Sequence, residues 1–276
     1  MLGTMRRMST RMSPDTLLHH TDNGLPWPGR QSTEPGYSVA AGYADALAVR
    51  ALRIARGERP LGYKVGFTNR GIWPLYGVYA PIWGSVWERT VVFCEGEGEL
   101  SLAHTCEPRI EPEAVFGLRA PPPAEGSIAD LFEALEWVAP GFEIVQSHLA
   151  GWKFDAADAV ANGSLHARLL VGQRVPVREI ASDAVGLDAA LAGAGVRLAR
   201  DGEAVAQGRG AAVLDGPLQA LWHFVQALRD CPGAPALQAG DLVTTGTWTD
   251  AFPVAAGQTW HGAFDAPLSP LTLRLR

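Results

Sequence analysis

The segment Arg109-Ile-Glu-Pro-Glu-Ala-Val-Phe116 constrains this chain more than any other. A β-strand turns successive side chains to opposite faces. Glu111 and Glu113 then share one face, and Ile110, Ala114 and Phe116 share the other. Val115 falls on the glutamates' face, so that face is covered too. Adjacent carboxylates repel, and burial raises the cost of ionising either one. A folded chain keeps both charged only beside a cation, and oxygen-only ligation suits Mg2+ or Mn2+. The chain carries its own control. Glu95-Gly-Glu-Gly-Glu99 has the same spacing, but glycine stands where apolar residues would anchor it. That stretch reads as a flexible exposed turn.

Three further segments carry chemistry. Glu143 is a lone acid among Phe142, Ile144 and Val145, a buried-charge pattern that demands a partner. Gly62-Tyr-Lys-Val-Gly-Phe-Thr68 places Lys64 on an apolar strand, where a structural salt bridge and a proton carrier fit equally well. Of the 23 basic side chains only Lys64 and Lys153 are lysines. Lysine, unlike arginine, can lose its proton when desolvated, so burial and a nearby cation are expected to lower the pKa of Lys64. Ala239–Asp250 reads as a strand running into Gly246. Backbone N–H groups there and the Thr247 hydroxyl can hold an anion such as a substrate carboxylate, and a plain turn fits the same residues. His148 and His166 lie near these segments and read as packing or surface residues.

Organisation follows from punctuation and periodicity. Residues 1–36 are polar and carry Pro14, Pro26, Pro28 and Pro35, which reads as a flexible tail and loop. Residues 37–70 form an N-terminal helix-and-strand region, with an amphipathic helix over Ser38–Arg56 and a strand over Leu61–Thr68. Residues 71–276 form the main body. Its first part, Gly71–Gly84, reads as an irregular loop over a site, with Tyr79 among its substrate contacts; aromatic packing is the alternative. Short strands follow at Thr90–Cys94, Arg109–Leu118, Phe142–Ser147, Ala167–Val171, Arg197–Arg200 and Leu242–Thr245, with helices at Ile128–Val138 and Pro217–Arg229. Without regular βαβ alternation the class is α+β.

Composition removes other functions. The net charge of -6 offers no basic face for nucleic acid, and Arg6, Arg7 and Arg11 sit in the expected tail. No apolar run approaches the roughly 18 residues that span a bilayer. Met1, Met5, Met8 and Met12 mark several candidate start points, and no apolar core follows them, so a secretory signal is not expected while a transit peptide stays open. Three dispersed cysteines without a C-x-x-C pair fit reduced thiols in a cytoplasm.

Four segments in order, Gly62-Tyr-Lys-Val-Gly66, Pro108-Arg-Ile-Glu-Pro-Glu113, Glu136-Trp-Val-Ala-Pro-Gly-Phe-Glu143 and Ala239-Gly-Asp-Leu-Val-Thr-Thr-Gly246, resemble the fumarylacetoacetate hydrolase superfamily. The nearest branch is the 2-keto-4-pentenoate hydratase and 4-oxalocrotonate decarboxylase group. The resemblance runs from Leu61 to the C-terminus. It implies a mixed β-roll with flanking helices, a homo-oligomer, and association with a pathway decarboxylase or hydratase. It implies Glu111, Glu113 and Glu143 as metal ligands, Lys64 beside the substrate, and Ser164 as a site serine. The substrate would be a 2-oxo or 2-hydroxydienoic acid. The expected activity is a hydratase, with decarboxylase, tautomerase, C–C hydrolase, or a non-catalytic binding or partner subunit as alternatives. One stretch departs. Where known hydratases carry acids in G-V-D-x-P-D-F-G, this chain has Gly77-Val-Tyr-Ala-Pro-Ile-Trp-Gly84, with Tyr79 and Ile82 in place of the acids. Asp250 is the candidate substitute.

Overall fold

A computed structural model describes residues 11–123 and 125–276. Met1, Met5, Met8, Arg6 and Arg7 of the expected tail lie outside them. The strands in chain order are β1 (Pro60–Gly66), β2 (Ile82–Trp87), β3 (Val91–Phe93), β4 (Glu97–Leu100), β5 (Arg109–Leu118), β6 (Leu135–Val145) and β7 (His166–Val171). They continue as β8 (Val175–Pro176), β9 (Gly195–Arg200), β10 (Glu203–Arg209), β11 (Leu242–Thr244), β12 (Phe252–Pro253), β13 (Thr259–Phe264) and β14 (Leu271–Leu275). A nine-stranded mixed sheet runs β2-β1-β11-β5-β6-β7-β3, with β12 beside β5 and β8 beside β6. A five-stranded sheet runs β10-β9-β13-β14-β4. The α+β class stands. Strand β1 pairs with β2 and β11 inside the main sheet, so the expected division at residue 70 does not separate two cores.

The alternation in β5 sorts the layers. Ile110, Ala114 and Phe116 enter one large core with Leu131 and Phe132 of the helix Ile128–Ala134, Leu187 and Leu191 of Ala184–Gly193, and Leu221 and Phe224 of Pro217–Arg229. The second sheet closes that core: Trp260, Phe264 and Leu271 join it, and the Phe264 ring lies 6.3 Å from that of Phe142. On the glutamates' face, Val115 packs with Val86, Ala139, Leu169 and Leu242. That leaves a polar window in an otherwise apolar layer.

Three expectations change. The first is the tail. Pro14–Asn23 is a helix, capped by Ser13, which accepts from the Thr16 N–H at 3.2 Å, and ended by left-handed Gly24. Pro14 starts this helix rather than breaking one, because a first-turn residue has no use for its N–H. Met12, Leu17 and Trp27 are buried against Phe154, Val160 and Leu165. The second is the control segment. Glu95, Glu97 and Glu99 are exposed as expected, but Glu97–Leu100 is a strand paired in parallel with β14. Arg274 and Arg276 pair with Glu97 and Glu99 at 2.7 and 2.5 Å. The third is the helix expected over Ile128–Val138. It ends at Ala134, and the chain passes directly into β6. No helix among the described residues is long and apolar enough to cross a membrane.

Candidate functional site

Strands β5 and β6 are antiparallel, and their register sets Glu111 opposite Glu143 and Glu113 opposite Gly141. The opposed side chains of such a pair share a face. One carboxylate oxygen from each of Glu111, Glu113 and Glu143 lies within 4.8 Å of the others. Glu113 and Glu143 are fully buried and Glu111 is partly buried. Gly141 is required beside them: a Cβ there would fall 2.5 Å from Val115 Cγ2. Lys64 reaches the cluster from β1, with Nζ 3.1 Å from Glu143 Oε2.

Each inner glutamate has one oxygen held and one turned inward. The Gly246 N–H donates to Glu113 Oε2 at 2.7 Å. His166 Nδ1 lies 2.8 Å from Glu143 Oε1. Glu113 Oε1 and Glu143 Oε2 are buried without a hydrogen bond of good geometry, Glu143 Oε2 having only the Lys64 ion pair. Buried unpaired acceptors cost about 1–3 kcal/mol each. Two such atoms converging with a third carboxylate form an all-oxygen donor set that fits a hard divalent cation.

The electrostatics agree with that fit. Burial, reinforced by the charge of Glu143, pushes Glu111 up to about 7 despite Lys64. Burial and the charges of Glu143 and Glu111 hold Glu113 well above the usual carboxylate range. Burial opposes ionisation of Glu143 too, but Lys64 and the His166 hydrogen bond outweigh it, and its pKa is lowered. Burial pulls Lys64 down, yet the three glutamates outweigh burial and raise it. Without a cation the three carboxylates are a stronger influence on Lys64 than desolvation; the expected lowering depends on a cation neutralising them.

The cluster opens into a cleft of about 560 Å³, lined by Lys64 and Glu111 at its floor. One wall is aromatic: the Phe67 and Tyr76 rings stack at 4.6 Å, and Tyr76 faces Phe154 at 5.8 Å. Ser164, Gly246, Thr247 and Asp250 line the same cleft. Ser164 is buried and donates its hydroxyl to the Trp83 carbonyl at 2.6 Å. Asp250 is exposed at the mouth. Gly246 does not offer the expected anion contact, because its N–H is committed to Glu113. Its φ of +95° aims that N–H inward, and a Cβ there would meet Thr68 Oγ1 at 1.9 Å. The Thr247 hydroxyl donates to the Thr249 carbonyl at 2.9 Å.

Tyr79 is corrected outright. It is 83 % exposed and lies on a separate surface groove with Val39, Ala44 and Cys231. Of the expected aromatic loop, Trp83 is buried in the core, and Ile72, Leu75, Tyr76 and Ile82 reach the cleft. Ile82 does line the cleft, so its apolar side chain stands where the resemblance would place an acid. His148 is a packing residue, bonded to Asn162 at 2.7 Å. His166 is not, and it was missed as a site residue. It carries no motif spacing, and only the pairing of β7 with β6 brings it to Glu143.

No family model matches the chain. Individual relatives do. The chain is 30 % identical to the 2-hydroxyhexa-2,4-dienoate hydratase of Comamonas testosteroni, over 89 % of this chain and 86 % of that protein. It is 31 % identical to a 2-keto-4-pentenoate hydratase of Burkholderia vietnamiensis, over 85 % of this chain and 86 % of that protein. It belongs to the hydratase and decarboxylase branch of the fumarylacetoacetate hydrolase superfamily. A 4-oxalocrotonate decarboxylase of a Pseudomonas species is 34 % identical over 75 % of each chain. Among solved structures, the 4-oxalocrotonate decarboxylase of Pseudomonas putida G7, complexed with magnesium and adipate, superposes with a TM-score of 0.83 at 25 % identity. That match covers 96 % of this chain and 99 % of that one. The branch membership and the mixed-sheet fold expected from the four segments both hold.

Proposed function

We propose that this chain is a divalent-metal-dependent hydratase of a 2-hydroxy-2,4-dienoate. The observation that carries this is the convergence of Glu111, Glu113, Glu143 and Lys64 in one cluster, of which Glu111 and Lys64 line an aromatic-walled cleft. The two hydratases at 30 % and 31 % identity support it. The three glutamates would hold Mg2+ or Mn2+, and the magnesium in the decarboxylase structure favours the former. Such an ion, once bound, draws electron density from the carboxylate and 2-oxygen of an α-oxo acid and eases proton transfer at the carbons conjugated with them.

The chain's own groups do the rest. Lys64 is the proton carrier beside the substrate's 2-oxygen. The dienol gives up its hydroxyl proton, a proton returns to the far carbon of the diene, and a conjugated enone results. Water then adds its oxygen to the conjugated carbon and its proton to the carbon next to the ketone. Asp250, at the cleft mouth, is the proposed acceptor of the water's proton. With its own proton committed to Trp83, Ser164 offers the substrate only a lone pair and so orients a hydroxyl rather than donating to it. Phe67, Tyr76 and Phe154 receive the tail, which favours substrates longer and more apolar than the pentadienoate.

The test follows loss of dienoate absorbance in Mg2+ and in EDTA, over a series of chain lengths. Metal-dependent turnover that improves with an apolar tail is the expected result. No turnover at any length would sink the reading. Release of carbon dioxide from a 2-oxo dicarboxylate would instead assign a decarboxylase, the activity named for the relative at 34 % identity. A homo-oligomer acting in a cytoplasm, with Cys94, Cys106 and Cys231 as free thiols, belongs to the same reading.

A further inference from the structure

We infer that His166 is a positioning residue of the metal centre: it holds Glu143 Oε1 so that Oε2 stays turned toward the cation. The inference rests on the metal-binding reading above and adds a residue to it. His166 is buried and bonded at both ring nitrogens. Nδ1 lies 2.8 Å from Glu143 Oε1, and Nε2 lies 2.9 Å from Thr90 Oγ1. A carboxylate accepts only, so Nδ1 is the donor whichever state the other nitrogen takes. Thr90 is itself held by its own turn: its hydroxyl lies 2.8 Å from the Trp87 carbonyl and accepts from the Trp87 N–H at 3.3 Å, and its single proton goes either to that carbonyl or to Nε2. The imidazole is therefore clamped between a structural turn and one oxygen of a metal ligand.

Among the described residues no other group does this for Glu143. Lys64 sits on the opposite oxygen, the one the cation needs. For Glu113 the equivalent task falls to the Gly246 N–H. The two inner ligands are thus held alike, one by backbone and one by a side chain. Without His166, the Glu143 carboxylate can rotate about its terminal torsion and lose the pose shared with Glu111 and Glu113. Groups that orient metal ligands in this way are typically worth about 10–100-fold in metal affinity.

Isothermal titration of the full chain with Mg2+ alone tests this, since the readout needs no substrate. Asparagine places its amide near the position of Nδ1 and glutamine near that of Nε2. His166→Asn is expected to bind Mg2+ within about threefold of the parent, while His166→Gln and His166→Leu bind about 10–100-fold more weakly. At saturating Mg2+ the kcat of His166→Gln is expected to recover to within a few-fold, because the residue touches no substrate. His166→Gln keeps a polar group against Thr90, so the comparison survives if His166→Leu does not fold. Equal Mg2+ affinity in His166→Gln and the parent would overturn the inference. So would equal weakening in His166→Asn and His166→Gln. A parent chain that binds no Mg2+ overturns the metal reading itself, a different outcome.

Discussion

At the scale of single residues, Lys64 and Glu143 make opposite demands on the same pocket. Glu143 needs a positive neighbour to stay ionised in a buried site, and Lys64 supplies one at 3.1 Å. Removing one member of a buried pair leaves the other charged and unpaired, at a cost of about 3–5 kcal/mol. Lys64→Met is therefore expected to lose that much stability in EDTA, read from urea unfolding, and to recover much of it in Mg2+. Its turnover should fall about 10²–10⁴-fold, the usual contribution of a proton carrier. Lys64→Arg separates the two roles. A guanidinium supplies charge but does not release its proton near neutral pH. Arginine should restore stability and leave turnover low. Full turnover in Lys64→Arg would mean that residue 64 moves no proton.

At the scale of elements, what was readable depended on whether a segment's partners were close in sequence. Strand β5 was legible because its own alternation names both faces: acids inward to the site, Ile110, Ala114 and Phe116 to the core. The helices Val39–Ala55 and Pro217–Arg229 were legible from their periodicity. Strand β4 was not, because what makes Gly98 and its exposed neighbours a strand is pairing with Leu273, far along the chain. His166 was hidden by a bulge. Glu143 pairs with Leu169 and Val145 with His166, so one extra residue intervenes on β7. Plain alternation would put residue 166 on the face away from Glu143. The bulge reverses that parity, and no local pattern announces it. The N-terminal helix was lost to its prolines, although Ser13-Pro14 is a helix start. That helix is a structural wedge, with Leu17 only 2 % exposed. Leu17→Ala is expected to cost about 2–5 kcal/mol in thermal or urea unfolding, with kcat unchanged. A loss below about 0.5 kcal/mol, the range of ordinary surface substitutions, would return the segment to the status of a tail.

At the scale of the whole molecule, the site is assembled from separate strands of the main sheet. Strand β1 gives Lys64, β5 gives Glu111 and Glu113, β6 gives Glu143, β7 gives His166, and the turn after β11 gives the Gly246 N–H. A cation there would join carboxylates of two strands, β5 and β6, that Lys64, His166 and the Gly246 N–H contact from three other elements, so metal, pH and global stability are linked. In EDTA, Glu111 and Glu113 take up protons more readily folded than unfolded. Their contribution is full below the ordinary carboxylate range and is lost as pH rises through the Glu111 value of about 7. Glu143 has the opposite sign: its contribution is present above the ordinary range and is lost as pH falls through its lowered value. The metal-free chain should therefore melt highest at about pH 5 and lose stability toward pH 8. Mg2+ supplies the missing positive charge, so its stabilisation should grow over that interval. At a concentration of 100 times its Kd the ion adds about 2.7 kcal/mol. Binding near pH 6.5 should also release protons, visible as a calorimetric enthalpy that varies with the ionisation enthalpy of the buffer. Melting curves in EDTA and in Mg2+ between pH 5 and pH 8 decide the matter. Parallel curves, with no widening gap toward alkaline pH, would mean that the buried glutamates are not what the cation neutralises.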